Sequence, residues 1–228
     1  MIELAERISA LSQEIRGLED KYRRQPNSVQ ILAVSKRHSA DKIRELASAS
    51  VQHFGENYLQ EALDKMAVLQ DLELQWHFIG PIQSNKTRGI AENFAWVQSL
   101  DREKIAIRLN EQRPENLEPL NICVQVNLSG EDTKSGVAQQ DCPALCEKIA
   151  RLPRLRLRGL MSIPAPLTDF QQQRHCFREL AELYTHLAGQ FESFDTLSMG
   201  MSGDYVAAIA EGATMVRLGT VLFGPRPA

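Results

Sequence analysis

The stretch QILAVSKRHSADKIREL, residues 30 to 46, runs from an apolar segment straight into a helical pattern with no glycine between them. Ile31, Leu32, Ala33 and Val34 read as a fully buried strand, and the residues from about 40 onward as a helix. A strand feeding a helix opens an α/β fold, and the connecting turn separates the two main kinds. An open doubly wound sheet binding a nucleotide wants a Gly-rich phosphate turn after its first strand. Here that turn reads SKRHSADK, and its place at the strand end is taken by an ammonium group, Lys36.

The same unit repeats along the chain. Strands are predicted near 30–35, 51–54, 74–79, 96–99, 120–128, 156–163, 194–198 and 214–219. Helices are predicted near 40–49, 57–70, 84–93, 102–112, 138–151, 169–191 and 203–211. Eight strands with a helix in every gap imply parallel strands joined by right-handed crossovers, and so a closed (β/α)8 TIM barrel. No linker or composition shift divides the 228 residues, which read as one domain, 1–228, with an amphipathic N-terminal helix over 1–24 packed on the barrel.

Composition narrows the function classes. The chain is 43% hydrophobic and 24% charged, with no apolar stretch of the roughly 20 residues that a membrane helix needs. A formal net charge of −3 argues against nucleic acid as a partner. The basic run RLPRLRLR (151–158) alternates and reads as a solvated face. The charged N-terminus is unlike a signal peptide, and Cys123, Cys142, Cys146 and Cys176 follow no secreted framework or metal-ligand spacing. Reduced packing thiols, no metal and a cytoplasmic location are therefore expected.

In such a barrel the chemistry gathers at the C-terminal ends of the strands. The residues closing the strands include Lys36; Gly55, Glu56 and Asn57; His77, Gly80 and residues 84–86; Asn127 and Ser129; Met161 and Ser162; SMGMSGD (198–204); and Arg217, Gly219 and Thr220. A lysine entering a barrel mouth is partly desolvated, which favours its neutral amine and suits Schiff-base formation with a carbonyl. Loops after the seventh and eighth strands commonly hold phosphate, and here they offer Ser198, Ser202, Gly219 and Thr220. A reactive amine beside a phosphate cup suggests a phosphorylated aldehyde, with pyridoxal 5′-phosphate (PLP) the foremost candidate and Lys36 its Schiff-base partner. Arg217 would then face the pyridine nitrogen and weaken the ring as an electron sink. Its alternative is an ion pair with an interior carboxylate.

These residues sit in AVSK (33–36), FGENY (54–58), HFIGPIQSNK (77–86), RGLMSIP (158–164), SMGMSGD (198–204) and VRLGTVLFG (216–224). The set closely resembles the pyridoxal phosphate homeostasis proteins, also called the YggS or PROSC family. The resemblance implies a barrel of the alanine racemase N-terminal type that holds PLP on Lys36. It implies Asn57 beside the cofactor ring, Ser198, Ser202, Gly219 and Thr220 around the phosphate, Arg217 at the pyridine, and His77, Met161 and Ser162 lining the mouth. It also implies a carrier or regulator of intracellular PLP, with apo PLP-dependent enzymes as recipients; without the racemase's second domain the usual dimer contact is missing, and a monomer is expected.

A PLP-dependent amino-acid racemase is the alternative. Racemisation needs a second acid–base group opposite the lysine. In alanine racemases that group is a tyrosine from a second domain, for which Tyr22, Tyr58, Tyr184 and Tyr205 offer no obvious substitute, Tyr58 and Tyr205 coming nearest. A Schiff-base aldolase acting on sugar phosphates is a third reading. Lys134, in SGEDTKSG (129–136), could transiently take the aldehyde during loading or release; a solvated loop lysine is its plainer reading.

Overall fold

The structure, a computed structural model, describes residues 4–128 and 135–224. Lys134 and Ser129 lie outside the described residues, and the loading role considered for Lys134 with them. The strands are β1 (Gln30–Val34), β2 (His53–Glu56), β3 (Gln75–Phe78), β4 (Trp96–Leu100), β5 (Leu120–Asn127), β6 (Val137–Ala138), β7 (Leu155–Met161), β8 (Thr196–Ser198) and β9 (Met215–Leu218). The helices are α1 (Leu4–Lys21), α2 (Ala40–Ser48), α3 (Leu59–Val68), α4 (Thr87–Asn93), α5 (Glu103–Gln112), α6 (Cys142–Ala150), α7 (Phe170–Ala188), α8 (Tyr205–Ala210) and α9 (Thr220–Phe223).

All strand pairings are parallel. The order β4-β3-β2-β1-β9-β8-β7-β5 closes through β4 on β5, so eight strands form the predicted barrel. The two-residue β6 pairs only with β5, outside the barrel. Side chains alternate across each strand. One set, including Phe54, Val97, Ile122 and Val216, packs in a large core with residues of the surrounding helices. The other faces the axis, where Leu32, Ile79 and Met215 form one small cluster and Trp96, Cys123 and Met161 another.

The second strand begins two residues later than its sequence suggests. Val51 still belongs to the turn closing α2, its N–H bonding to Leu46 O at 3.1 Å after a left-handed Ser50 (φ 67°). Phe194, expected in a strand, instead packs with Tyr184 and Phe191, and β8 starts at Thr196. The amphipathic α1 buries Leu4, Ile8, Leu11 and Ile15 and contacts α2, α8 and α9. Its buried Glu19 accepts N–H bonds from Asn27 (3.0 Å) and Val29 (2.8 Å), fixing the entry into β1. No helix among the described residues is long and apolar enough to cross a membrane.

Candidate functional site

The strand ends converge on a cavity of about 270 Å³ lined by Lys36, Asn57, Ser202, Arg217, Gly219 and Thr220. Val34, Ile79, Ile163, Met201 and Gly203 complete the wall. Backbone pairing explains how the first strand delivers its lysine. Ser35 N–H still reaches Gly55 O at 3.0 Å, one residue past β1, so Lys36 keeps the inward register of Val34. Arg37 then turns left-handed (φ 62°) and ends the extended run.

Asn57 follows β2 in the same way. A side chain at Gly80 would place its Cβ 2.3 Å from Asn57 O, so only glycine lets the two loops meet there. Asn57 Oδ1 is buried without a hydrogen-bond partner. A buried acceptor left unsatisfied by the protein is what a ligand donor would complete.

The loop after β8 is pinned to β9 by Met199 N–H on Met215 O (3.1 Å) and Arg217 N–H on Gly200 O (2.9 Å). Gly200 has φ 88°, and a Cβ there would lie 2.5 Å from that of Ala208. Asp204 Oδ1 accepts from Met201 N–H at 2.6 Å, shaping the turn ahead of α8. Ser202 Oγ accepts the Val221 N–H at 3.3 Å, joining this loop to the one after β9. The two helices that open here are six and four residues long, so an anion must be held by individual N–H and hydroxyl groups more than by a helix dipole.

Arg217 forms the cationic part of the wall. Its Nη1 donates to Ser198 O (2.7 Å) and Ser198 Oγ (2.9 Å), and its Nη2 to Ser162 O (2.7 Å). Burial pushes its pKa down to about 10, opposed by the charge of Asp204, so it remains a cation at neutral pH. No interior carboxylate forms an ion pair with it among the described residues, which sets aside the alternative reading of Arg217.

Four of the expected site residues lie off the cavity wall. Ser198 and Ser162 are buried behind Arg217 and hold it. Ser162 Oγ is also buried without a partner. Met161 packs in the barrel interior with Trp96 and Cys123. His77 is fully buried, stacked on Trp96 (centroids 5.0 Å) and bonded to His53 and Gln98. His77, Met161 and Ser162, expected to line the mouth, thus lie beneath the cavity wall, and Ser198 stands one layer below it. These residues still belong to the strands or their last rungs, and the mouth is built by the loop residues beyond them. Sequence reasoning missed Val34, Ile79, Ile163 and Met201; two-residue spacing from Lys36 and His77 marks Val34 and Ile79.

The tyrosines are placed elsewhere. Tyr205 Oη donates to Glu14 Oε1 at 2.6 Å, and burial together with that carboxylate raises its pKa. Tyr184 Oη donates to Phe194 O (3.3 Å), and Tyr58 is 51% exposed. No cluster of metal-ligating side chains occurs among the described residues.

Residues 7–227 match the family described as alanine racemase, N-terminal domain. A pyridoxal phosphate homeostasis protein of Pseudomonas aeruginosa is 56% identical over 226 residues, covering 99% of this chain and 97% of that one. The protein of that name in Escherichia coli is 45% identical over 229 residues, covering 99% and 98%. Among solved structures, PipY of Synechococcus elongatus with PLP bound superposes with a TM-score of 0.85 at 37% identity, covering 97% of this chain and 100% of that one. Alanine racemase of Corynebacterium glutamicum gives a TM-score of 0.66 at 18% identity, covering 96% of this chain and 62% of the other, a likeness of fold.

Proposed function

This chain belongs to the pyridoxal phosphate homeostasis protein family, built on the alanine racemase N-terminal domain, and from that membership we propose that it binds PLP in the barrel-mouth cavity as a carrier or regulator of the intracellular pool. The observation that carries this reading is one cavity with an amine (Lys36), a cation (Arg217) and a Ser/Thr/Gly rim (Ser202, Gly203, Gly219, Thr220).

The residues fit the group. PLP supplies an aldehyde that condenses with an amine, an ionised phosphate and an electron-poor pyridine ring. Lys36 is the amine within the cavity. Ser202, the Thr220 hydroxyl and the Thr220 N–H, which opens α9 without an intrahelical acceptor, suit the phosphate. Asn57 Oδ1 is a buried acceptor awaiting a donor. Arg217, a cation on the cavity wall, would discourage protonation of the ring nitrogen of a cofactor bound there. Ser198 and Ser162 serve by orienting that guanidinium, while His77 and Met161 fill the barrel beneath.

The same features favour holding the cofactor over using it. An unprotonated ring is a weak sink for a carbanion. A racemase also needs a second acid–base group, and Tyr205 is committed to Glu14 and Tyr184 to Phe194. Apo PLP-dependent enzymes are the natural recipients, and the cytoplasm, where they fold, the place of action.

The test is the visible spectrum of the purified protein, then borohydride reduction and peptide mass mapping. The expected result is a PLP band with the pyridoxyl mass on Lys36. A protein that stays colourless after incubation with PLP overturns the reading. Negligible exchange of the α-proton of L-alanine in heavy water is expected of a carrier; rapid exchange would make the protein a racemase.

A further inference from the structure

Lys36 lies between two residues that are each tied to one buried charge cluster. Before it, Ser35 O accepts from Lys65 Nζ at 2.8 Å, and Ser35 Oγ donates to Glu56 Oε1 at 2.6 Å. After it, the Arg37 N–H donates to Glu61 Oε1. Lys65 Nζ joins the two sides, donating to Glu56 Oε1 and Glu61 Oε1 at 2.6 Å each. Glu56 is wholly buried and Lys65 only 8% exposed.

This arrangement is costly. Burial raises the pKa of Glu56, and Lys65 and Ser35 offset that only in part. A buried ion pair rarely gains stability over an apolar packing of the same volume, so its use calls for another explanation. The second cost lies in the backbone: Arg37 is left-handed (φ 62°), a conformation uncommon for a side chain of its kind and kept only where the surroundings over-determine it. Two hydrogen bonds hold it: the turn's own His38 N–H to Ser35 O at 3.0 Å, and the Arg37 N–H to Glu61, which ties the turn to α3.

We propose that Glu61 of α3, backed by Lys65 and Glu56, is a positioning residue that clamps the backbone on both sides of Lys36 and so aims its amine into the cavity. This rests on the reading of Lys36 as the amine that takes PLP. Without the clamp only the His38–Ser35 bond is left to hold the turn, its tie to α3 is lost, and the amine samples poses off the cavity axis. Glu61 touches no ligand; it acts through Arg37.

Glu61 is half-buried at the surface of α3, so its replacement spares the core. The test compares the parent with Glu61→Ala, Glu61→Gln and the double variant Arg37→Gly/Glu61→Ala. Hydrogen exchange at the Arg37 amide is read in the cofactor-free protein, and PLP dissociation in the loaded one. The expected result is loss of Arg37 protection and roughly tenfold faster PLP release in Glu61→Ala, with the thermal midpoint of the cofactor-free protein lowered by only a few degrees. Glu61→Gln, which keeps an acceptor, should recover most of both effects. Glycine at position 37 adopts the left-handed turn unaided, so the double variant should regain slow release. Parent-like PLP release in Glu61→Ala, or an equally fast double variant, overturns the proposal. A parent that takes up no PLP would defeat the cofactor reading, and an unprotected Arg37 amide in that parent would defeat the clamp separately.

Discussion

Arg217 and Ser198 are bonded twice, Nη1 meeting the carbonyl at 2.7 Å and the hydroxyl at 2.9 Å. Ser198 Oγ in turn donates to Gln98 Oε1 at 2.6 Å, Gln98 Nε2 donates to His77 Nδ1 at 2.9 Å, and His77 Nε2 meets His53 Nδ1 at 2.9 Å. The direction is consistent throughout: each group donates away from the guanidinium, which requires both imidazoles to be neutral. A cation on the cavity wall is thereby held by a chain that crosses the barrel interior to its other end.

Replacing Ser198 by alanine breaks this chain at its first link. Gln98 Oε1 loses its donor and Arg217 Nη1 one of its two acceptors, both in a dry interior. The cost expected is about 1–3 kcal/mol of stability, as for a buried polar group left unsatisfied. PLP affinity should fall as well, because a guanidinium held by carbonyls alone has a looser pose. Urea unfolding and PLP titration of Ser198→Ala measure the two effects; parent-like values in both would remove Ser198 from any role behind Arg217.

The histidines carry a pH consequence. Burial lowers the pKa of His53, and burial with the charge of His53 lowers that of His77 well below 6.5. The unfolded chain therefore binds protons that the native chain refuses. Stability is fully present above about pH 6.5 and is lost as pH falls below it, by up to about 1.4 kcal/mol per pH unit for each histidine. Glu56, whose pKa is raised by burial, acts in the opposite sense and shallows the slope where the windows overlap. Unfolding free energies of the parent should drop between pH 7.5 and pH 5.5, and His53→Gln should drop less. A flat profile would mean that the histidines are not held neutral.

Much of the barrel and part of its rim are legible in the sequence. The apolar run ending at Lys36 locates the first barrel strand, and the paired loops at 198–204 and 219–220 locate a rim, because strand periodicity and glycine placement are local signals. Ser198 reads as part of that rim because its motif is continuous; in space it turns inward and its neighbour Ser202 reaches the mouth. The Arg217–Ser198–Gln98–His77 chain is illegible, since Gln98 and Ser198 stand a hundred residues apart and meet only when the barrel closes. The clamp around Lys36 is hidden for a different reason. Glu61 and Lys65 read as an ordinary surface pair on a helix, and nothing local shows that α3 lies over the turn after β1.

The cysteines offer an independent check of the packing. Cys123, Cys142 and Cys146 are buried, and burial pushes the thiol of Cys123 up to about 12. Cys142 and Cys146 lie 3.9 Å apart, sulfur to sulfur, on one face of α6, within thiol hydrogen-bond reach and with no disulfide between them. Only Cys176 is partly accessible. A thiol reagent should therefore modify one cysteine in the native protein and four after denaturation, a count that mass spectrometry reads directly. Ready modification of Cys142 or Cys146 in the native state would mean that α6 detaches from β5 and β7.

Gly80 tests whether the meeting of two loops shapes the site. A Cβ at position 80 would fall 2.3 Å from Asn57 O and 2.8 Å from Asn57 Cα, backbone atoms that cannot swing aside as a flexible side chain could. Gly80→Ala must therefore push the loop after β2 away from that after β3. The overpacking should cost about 1–3 kcal/mol. It should also weaken PLP binding, because Asn57 moves with its backbone while Lys36 and the rim of Ser202, Gly219 and Thr220 stay in place. The comparison that isolates the site is Asn57→Ala, which removes the side chain without displacing the loop. If Gly80→Ala loses affinity beyond Asn57→Ala, the backbone displacement narrows or widens the cavity itself; if the two losses are equal, the Asn57 side chain accounts for the whole effect. Stability and affinity both unchanged in Gly80→Ala would show that the two loops do not meet as described.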